Sequence, residues 1–184
     1  MDRRLFIASA VAAPLFVAGR ADGADPESPK KGIFVPSGKG QDKELLKLAG
    51  VIPTDIKVAA KDSGGNLLAF EHTDMGKGGP HRHMHSDQDE WFYVVKGEFA
   101  FEVGDEKFRL KAGDSMFAPR KVPHVWACVS DKPGTLLLGL SPAGTFEAFL
   151  RHLAKLTKLP TEEEAEKLFA AHGMKIVGPP LKID

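Results

Sequence analysis

The chain has a single cysteine, Cys128, so no disulfide can form within it. Charge of one sign is missing too, since 25 basic residues face 25 acidic ones. A nucleic-acid partner would favour a basic surface, and the balance argues against one. No apolar run reaches the roughly 20 residues that a membrane-spanning helix needs. No internal repeat is evident, which excludes a solenoid or propeller array. What remains is a chain of 184 residues, enough for one well-formed core but not comfortably for two.

The first residues carry an address. Arg3 and Arg4 form a positive head, and Leu5 to Ala18 are apolar apart from Ser9 and the breaker Pro14. Gly19-Arg20-Ala21 fits a small-x-small cleavage site, so residues 1–21 have the layout of a signal peptide. Arg3-Arg4-Leu5-Phe6-Ile7 also resembles the twin-arginine export signal, although Asp2 stands where Ser or Thr is commoner. The expectation is an exported, periplasmic or secreted protein without a stable membrane span after cleavage. Losing Arg3, Arg4, Arg20 and Asp2 would leave a mature chain with a net charge of −2.

Residues 22–31 are rich in Pro, Gly and charge and read as a disordered leader. Within the remainder of 22–50, Leu45, Leu46 and Leu48 suggest a short helix between Lys43 and Ala49, closed by Gly50 and Pro53. From about Ile56 the pattern is β. Phe99, Phe101 and Val103 alternate with Glu98, Ala100 and Glu102, the period of a strand with one buried face. Residues 103–108 read as a hairpin, and further strands are expected at 67–72, 91–95, 116–118, 124–129 and 135–140. Strands this short and this regularly spaced indicate a sandwich or barrel over 51–141. Residues 142–184 differ: Phe146, Phe149, Leu150 and Leu153 recur at helical spacing, as do Ala165, Leu168 and Phe169. Thr161 and Glu164 form a capping box for the second helix, and Gly173 stops it. Both helices are expected to pack outside the barrel and carry no chemistry.

Four of the seven histidines, His81, His83, His85 and His124, lie between positions 81 and 124. Residues two apart on a strand share a face, so His81, His83 and His85 would point one way. Two neighbouring imidazoles, a carboxylate from the next strand and a distant third imidazole make a divalent-metal site. Trp126 and Cys128 share parity with His124, while Phe92 and Val94 share the face of Glu90. These side chains would form an apolar wall suited to an aromatic ligand, or plain core. Cys128 reads either as a soft ligand or as a small buried hydrophobe, the second being the better fit.

The longer spacing resembles a family. His83-x-His85-x4-Glu90-x6-Gly97 resembles the first cupin motif, and Gly113-x5-Pro119-x4-His124 the second. The resemblance implies an all-β double-stranded β-helix, a jelly-roll barrel, with the two C-terminal helices packed outside. It implies one divalent transition metal held by His83, His85, Glu90 and His124, with His81 at the rim. Manganese, iron, nickel, copper and zinc all suit such ligands. Two positions depart from the motif: Lys121 stands where a glycine is usual, and Cys128 where asparagine is common. Neither is a metal ligand in the family, but a non-glycine residue tolerates positive φ poorly, so the turn at Lys121 is in question.

The whole chain, including its closing Gly178-Pro179-Pro180-Leu181, resembles bacterial single-domain cupins labelled quercetin 2,3-dioxygenase-like. That resemblance implies a dioxygenase acting on a flavonol or other phenolic compound, with Glu90 as both ligand and general base. It also implies a homodimer formed through outer barrel strands. The rival expectations are a non-enzymatic metal- or ligand-binding cupin and a metal-assisted isomerase or lyase of a small oxyacid.

Overall fold

Alternating burial along short segments produces eleven strands among the described residues, arranged in two antiparallel sheets. The structure is a computed structural model that describes residues 29, 31–41 and 44–183. The expected signal segment 1–21 lies outside the described residues, as does most of the leader 22–31.

The first sheet contains β1 (Leu46–Leu48), β2 (Ile52–Val58), β3 (Leu68–Met75), β5 (Asp89–Lys96), β8 (Ser115–Ala118) and β10 (Gly134–Ser141), in the order β1-β2-β3-β10-β5-β8. The second contains β4 (His81–His85), β6 (Glu98–Val103), β7 (Glu106–Lys111), β9 (His124–Cys128) and β11 (Met174–Pro180), in the order β11-β4-β9-β6-β7. Their inner faces meet in an aromatic core. Phe70, Phe92, Phe99 and Phe101 are buried, and the Phe92 and Phe101 rings meet edge to face at 5.1 Å across the two sheets. Burying each such ring contributes about 1.5–3 kcal/mol. The expected all-β jelly-roll is therefore the fold observed, and the alternation of Phe99 and Phe101 faces inward as the pattern requires.

Two helices lie outside the strands: α1 (Phe146–Leu153) and α2 (Glu162–Ala171). The α2 capping box forms as expected, with Glu164 N donating to Thr161 Oγ1 at 3.3 Å and Thr161 N donating to Glu164 Oε2 at 2.8 Å. The short helix expected over 43–49 does not form. Leu46 and Leu48 are buried there with Lys47 turned outward, and the segment pairs with Ile52–Thr54 as strand β1. Three leucines within four residues are too few to distinguish period 2 from period 3.6, and the sheet edge decides between them. The sheets also take in β11, a strand that the helical pattern of the C-terminal region does not signal.

Candidate metal centre

Strand β4 presents His83 and His85 inward, because the alternation puts both on the buried face. Strand β9 pairs directly with β4 so that His124 stands opposite His83. Glu90 comes from β5 in the other sheet, opposite Ala118 and Leu140. All four side chains are buried, and one candidate ligand atom from each lies within 4.8 Å of every other. His81 remains outside this cluster, at the rim of the adjoining cavity.

The hydrogen bonds fix which nitrogen of each ring faces the centre. His83 Nδ1 donates to the carbonyl oxygen of His81 at 2.8 Å, and His124 Nδ1 to that of Val122 at 3.2 Å. His85 Nδ1 donates to Gln88 Oε1 at 3.2 Å. The Gln88 amide cannot be turned round, because its Nε2 donates to the carbonyl oxygens of Pro142 (3.2 Å) and Ala143 (2.6 Å). Carbonyl oxygens only accept, so in all three rings Nδ1 carries the hydrogen and Nε2 is left for the centre.

That assignment creates an electrostatic demand. His124 Nε2 lies 3.0 Å from Glu90 Oε2, and His85 Nε2 lies 3.2 Å from the same oxygen. His85 Nε2 is also a buried nitrogen without an aligned hydrogen-bond partner. Lone pairs converging on a carboxylate repel unless a proton or a cation stands among them. Burial opposes charge on Glu90, but the adjacent His124 and His85 imidazoles outweigh it and hold the carboxyl below the usual carboxylate range. Burial also opposes charge on His85, and Glu90 beside it raises that ring nonetheless. His83, pressed by burial and by the neighbouring His124, falls to about 3 and is neutral. Three imidazoles and one carboxylate with their second nitrogens already engaged are a donor set that fits a divalent transition metal.

A cavity of about 280 Å³ opens beside His83 and Glu90. Its walls are apolar and come from both sheets and both helices, including Phe70, Leu138, Phe149 and Phe169. Phe146 packs 5.6 Å from the His85 ring and Phe169 lies 5.3 Å from that of His83. The helices therefore wall the site, a contribution beyond the purely structural role expected of them. Gly79 makes room at the rim, since a Cβ there would lie 1.8 Å from the carbonyl oxygen of Trp126.

Comparison with known proteins agrees with this architecture. Residues 70–139 match a family model described as a cupin domain. The solved structure of KdgF from Halomonas sp. is similar at a TM-score of 0.50 and 26% identity, covering 61% of this chain and 94% of that one. Together these findings support the cupin superfamily. An RmlC-like cupin from Shewanella frigidimarina is 29% identical over 54% of this chain and 84% of its own, at a TM-score of 0.45. An uncharacterized protein of Methanocaldococcus jannaschii is 31% identical over 55 residues, which is 30% of this chain and 44% of that protein. The cupin domain match contains His83, His85, Glu90 and His124.

Two positions flagged by the motif now have a structural account. Lys121 holds φ at 65°, the left-handed conformation that glycine supplies more cheaply, and its N–H donates to the carbonyl oxygen of His85 at 2.8 Å. Cys128 is fully buried against Met75, Phe99 and Ser130 and is not part of the metal-type cluster. Gln88 and His72 are polar groups of this region that sequence reasoning passes over. Gln88 sits in the polar stretch Ser86–Asp89, where nothing separates it from a surface turn. His72 stands alone on β3, nine residues before the histidine alternation begins.

Proposed function

We propose that this protein is an exported, metal-dependent dioxygenase acting on a phenolic or flavonol-like substrate. The observation that carries the reading is the convergence of three Nε2 atoms and a carboxylate oxygen on one buried point beside an apolar cavity. His83, His85, Glu90 and His124 would hold one divalent ion. When bound, such an ion supplies Lewis acidity toward a substrate hydroxyl and a route for electrons to dioxygen. Glu90 lines the cavity as well as the cluster and would receive the hydroxyl proton. The apolar lining excludes water and accepts the faces of an aromatic ring. Both oxygen atoms of dioxygen enter the cleaved ring, so the reaction needs no separate reductant.

The cavity lies at the low end of ligand-pocket sizes, roughly 300 Å³ upward, which favours a one- or two-ring phenolic over a larger flavonol. Among the described residues its lining contains no lysine or arginine, so the charge of an acidic ligand would have to be met by the bound metal. Export rests on the pattern of residues 1–21. The test is elemental analysis of protein purified without chelators, followed by oxygen uptake with a panel of catechols, hydroxybenzoates and flavonols. About one equivalent of transition metal and substrate-dependent oxygen consumption are expected. Stoichiometric metal with tight phenolic binding but no oxygen uptake would replace the enzyme by a binding protein. Failure to take up metal would refute the reading at its base.

A further inference from the structure

The cavity wall carries a second polar pair besides the four clustered side chains. His72, on β3, lines it and is 5% exposed. Thr54 Oγ1 donates to the carbonyl oxygen of Ile52 at 3.2 Å and so offers a lone pair to His72 Nδ1, 2.8 Å away. Nδ1 therefore carries the hydrogen and Nε2 is an acceptor. Nε2 has no hydrogen-bond partner among the described residues. Trp126 lines the same cavity with its ring 5.9 Å from that of His72, and its indole N–H is likewise unpartnered among the described residues. Burial, only partly opposed by the charge of Glu90, lowers His72 to about 4 and keeps the ring neutral near pH 7.

Neither His72 Nε2 nor the Trp126 indole nitrogen is among the enclosed orphan polar atoms of the described residues, so both reach the space of the cavity and stand available to a group that enters it. One chemical group satisfies both, because a hydroxyl donates one hydrogen bond and accepts others. We infer that His72 Nε2, together with the Trp126 indole N–H, anchors one hydroxyl of a small aromatic ligand whose other oxygen faces His83 and Glu90. This inference rests on the phenolic-ligand reading and sharpens it. The ligand class becomes a hydroxylated aromatic acid or polyphenol with two separated polar groups, rather than a singly substituted ring. It also makes His72 and Trp126 specificity-determining residues, since an analogue without the second hydroxyl leaves both groups bare.

The test uses the full-length, zinc-loaded protein and calorimetric titration with benzoate, 3-hydroxybenzoate and 4-hydroxybenzoate. At least one hydroxylated acid should bind about five- to tenfold more tightly than benzoate, the worth of one good hydrogen bond. His72→Phe should abolish the preference for the hydroxylated acid over benzoate with zinc content unchanged, and Trp126→Phe should reduce that preference. On the unmodified protein, the nitrogen resonance of His72 Nε2 should shift with the hydroxylated acid and not with benzoate. That measurement decides the matter even if His72→Phe does not fold. Equal binding of all three acids, or a gain that survives His72→Phe, overturns the role of His72 and leaves the phenolic reading standing. If none of the three binds, the phenolic reading fails and this inference falls with it.

Discussion

Gln88 is the residue through which the loop after β10 controls the metal-type cluster. Its Oε1 receives His85 Nδ1–H, and its Nε2 donates to Pro142 and Ala143. Gln88→Leu keeps the volume and removes every one of these bonds. A buried N–H on His85 loses its partner, whereas the Ala143 carbonyl keeps the Phe146 N–H at 3.2 Å, so the metal-free protein should lose about 1–3 kcal/mol. For a chain of this size that is a fall in melting temperature of about 2–12 °C. Metal affinity should fall about 10- to 100-fold, because His85 is no longer held in the tautomer and rotation that point Nε2 at the centre. Gln88→Glu separates the two effects. Its carboxylate accepts from His85 Nδ1 more strongly than an amide does, but it faces two carbonyl oxygens with no hydrogen to offer. That variant should keep near-native or tighter metal affinity while losing stability. Calorimetric melting of the metal-free proteins and metal titration against a competing chelator measure both quantities. Native metal affinity in Gln88→Leu, or parallel loss of affinity and stability in Gln88→Glu, would refute the positioning argument.

His83→Ala and His124→Ala should each reduce metal content to about a tenth of native or less, whereas His81→Ala should retain about one equivalent; mass-spectrometric metal analysis decides, and equal loss from His81→Ala would mean that the ligand set is wrong. His81 acts on the cluster through its backbone carbonyl, which the substitution leaves in place. Lys121→Gly should stabilise the protein by about 1 kcal/mol in urea denaturation, since it relieves a left-handed backbone at φ 65°; a destabilised variant would show that the lysine side chain contributes more than the strain costs. In the metal-free protein, the lowered values of His72 (about 4) and His83 (about 3) mean that the unfolded chain binds protons more readily than the folded one. Their stabilisation is complete above the unfolded value near 6.5 and is lost as pH falls, by about 2 kcal/mol each between pH 7.5 and 5. Glu90 is shifted down from 4.5 and keeps its contribution through that window, while His85, shifted up, moves the other way. Urea denaturation that shows no loss of stability toward pH 5 would contradict this balance.

The barrel and the cluster were legible because both rest on short-range regularities. The period-2 run 98–103 shows its buried face directly, and His83 and His85 share parity on one strand. The spacing to Glu90 and the second glycine–proline–histidine pattern bring in the partners from other strands. The regions that misled are those where tertiary pairing overrides local pattern. Leu46 and Leu48 look as helical as they look extended until β2 is beside them. Met174–Pro180 contains Gly178, Pro179 and Pro180, which read as a terminus and not as a strand. It pairs because it lies at the sheet edge, where an unpaired residue costs little, and the register shifts around Gly178 and Pro180. Gln88 and His72 were invisible for a different reason. Each is defined by which atom its partner offers, and no residue spacing encodes a carbonyl direction.

That edge strand bears on what the C-terminal region does. Met174 lies opposite His85 and Ile176 opposite His83, so β11 covers the free side of the strand that carries two of the four clustered side chains. Ser86 N also donates to the carbonyl oxygen of Gly173 at 2.9 Å, which ties the end of β4 to the turn after α2. Without β11, β4 would be an edge strand paired with β9 at His83 and His124, with the Gly78–Cys128 bridge and the Lys121 N–H bond to His85 as further backbone ties. Its backbone would be free to fray, and the Nε2 atoms of both histidines would move with it. The same region supplies Phe146, Phe149 and Phe169 to the cavity, and the backbone that orients Gln88. A chain ending at Ser141 would thus retain most of the strands and all four cluster residues, and yet lose the second side of β4, the restraint on His85 and the wall facing the centre. The site is a property of the barrel and its helical extension together, because the extension fixes the direction in which the barrel's histidines point.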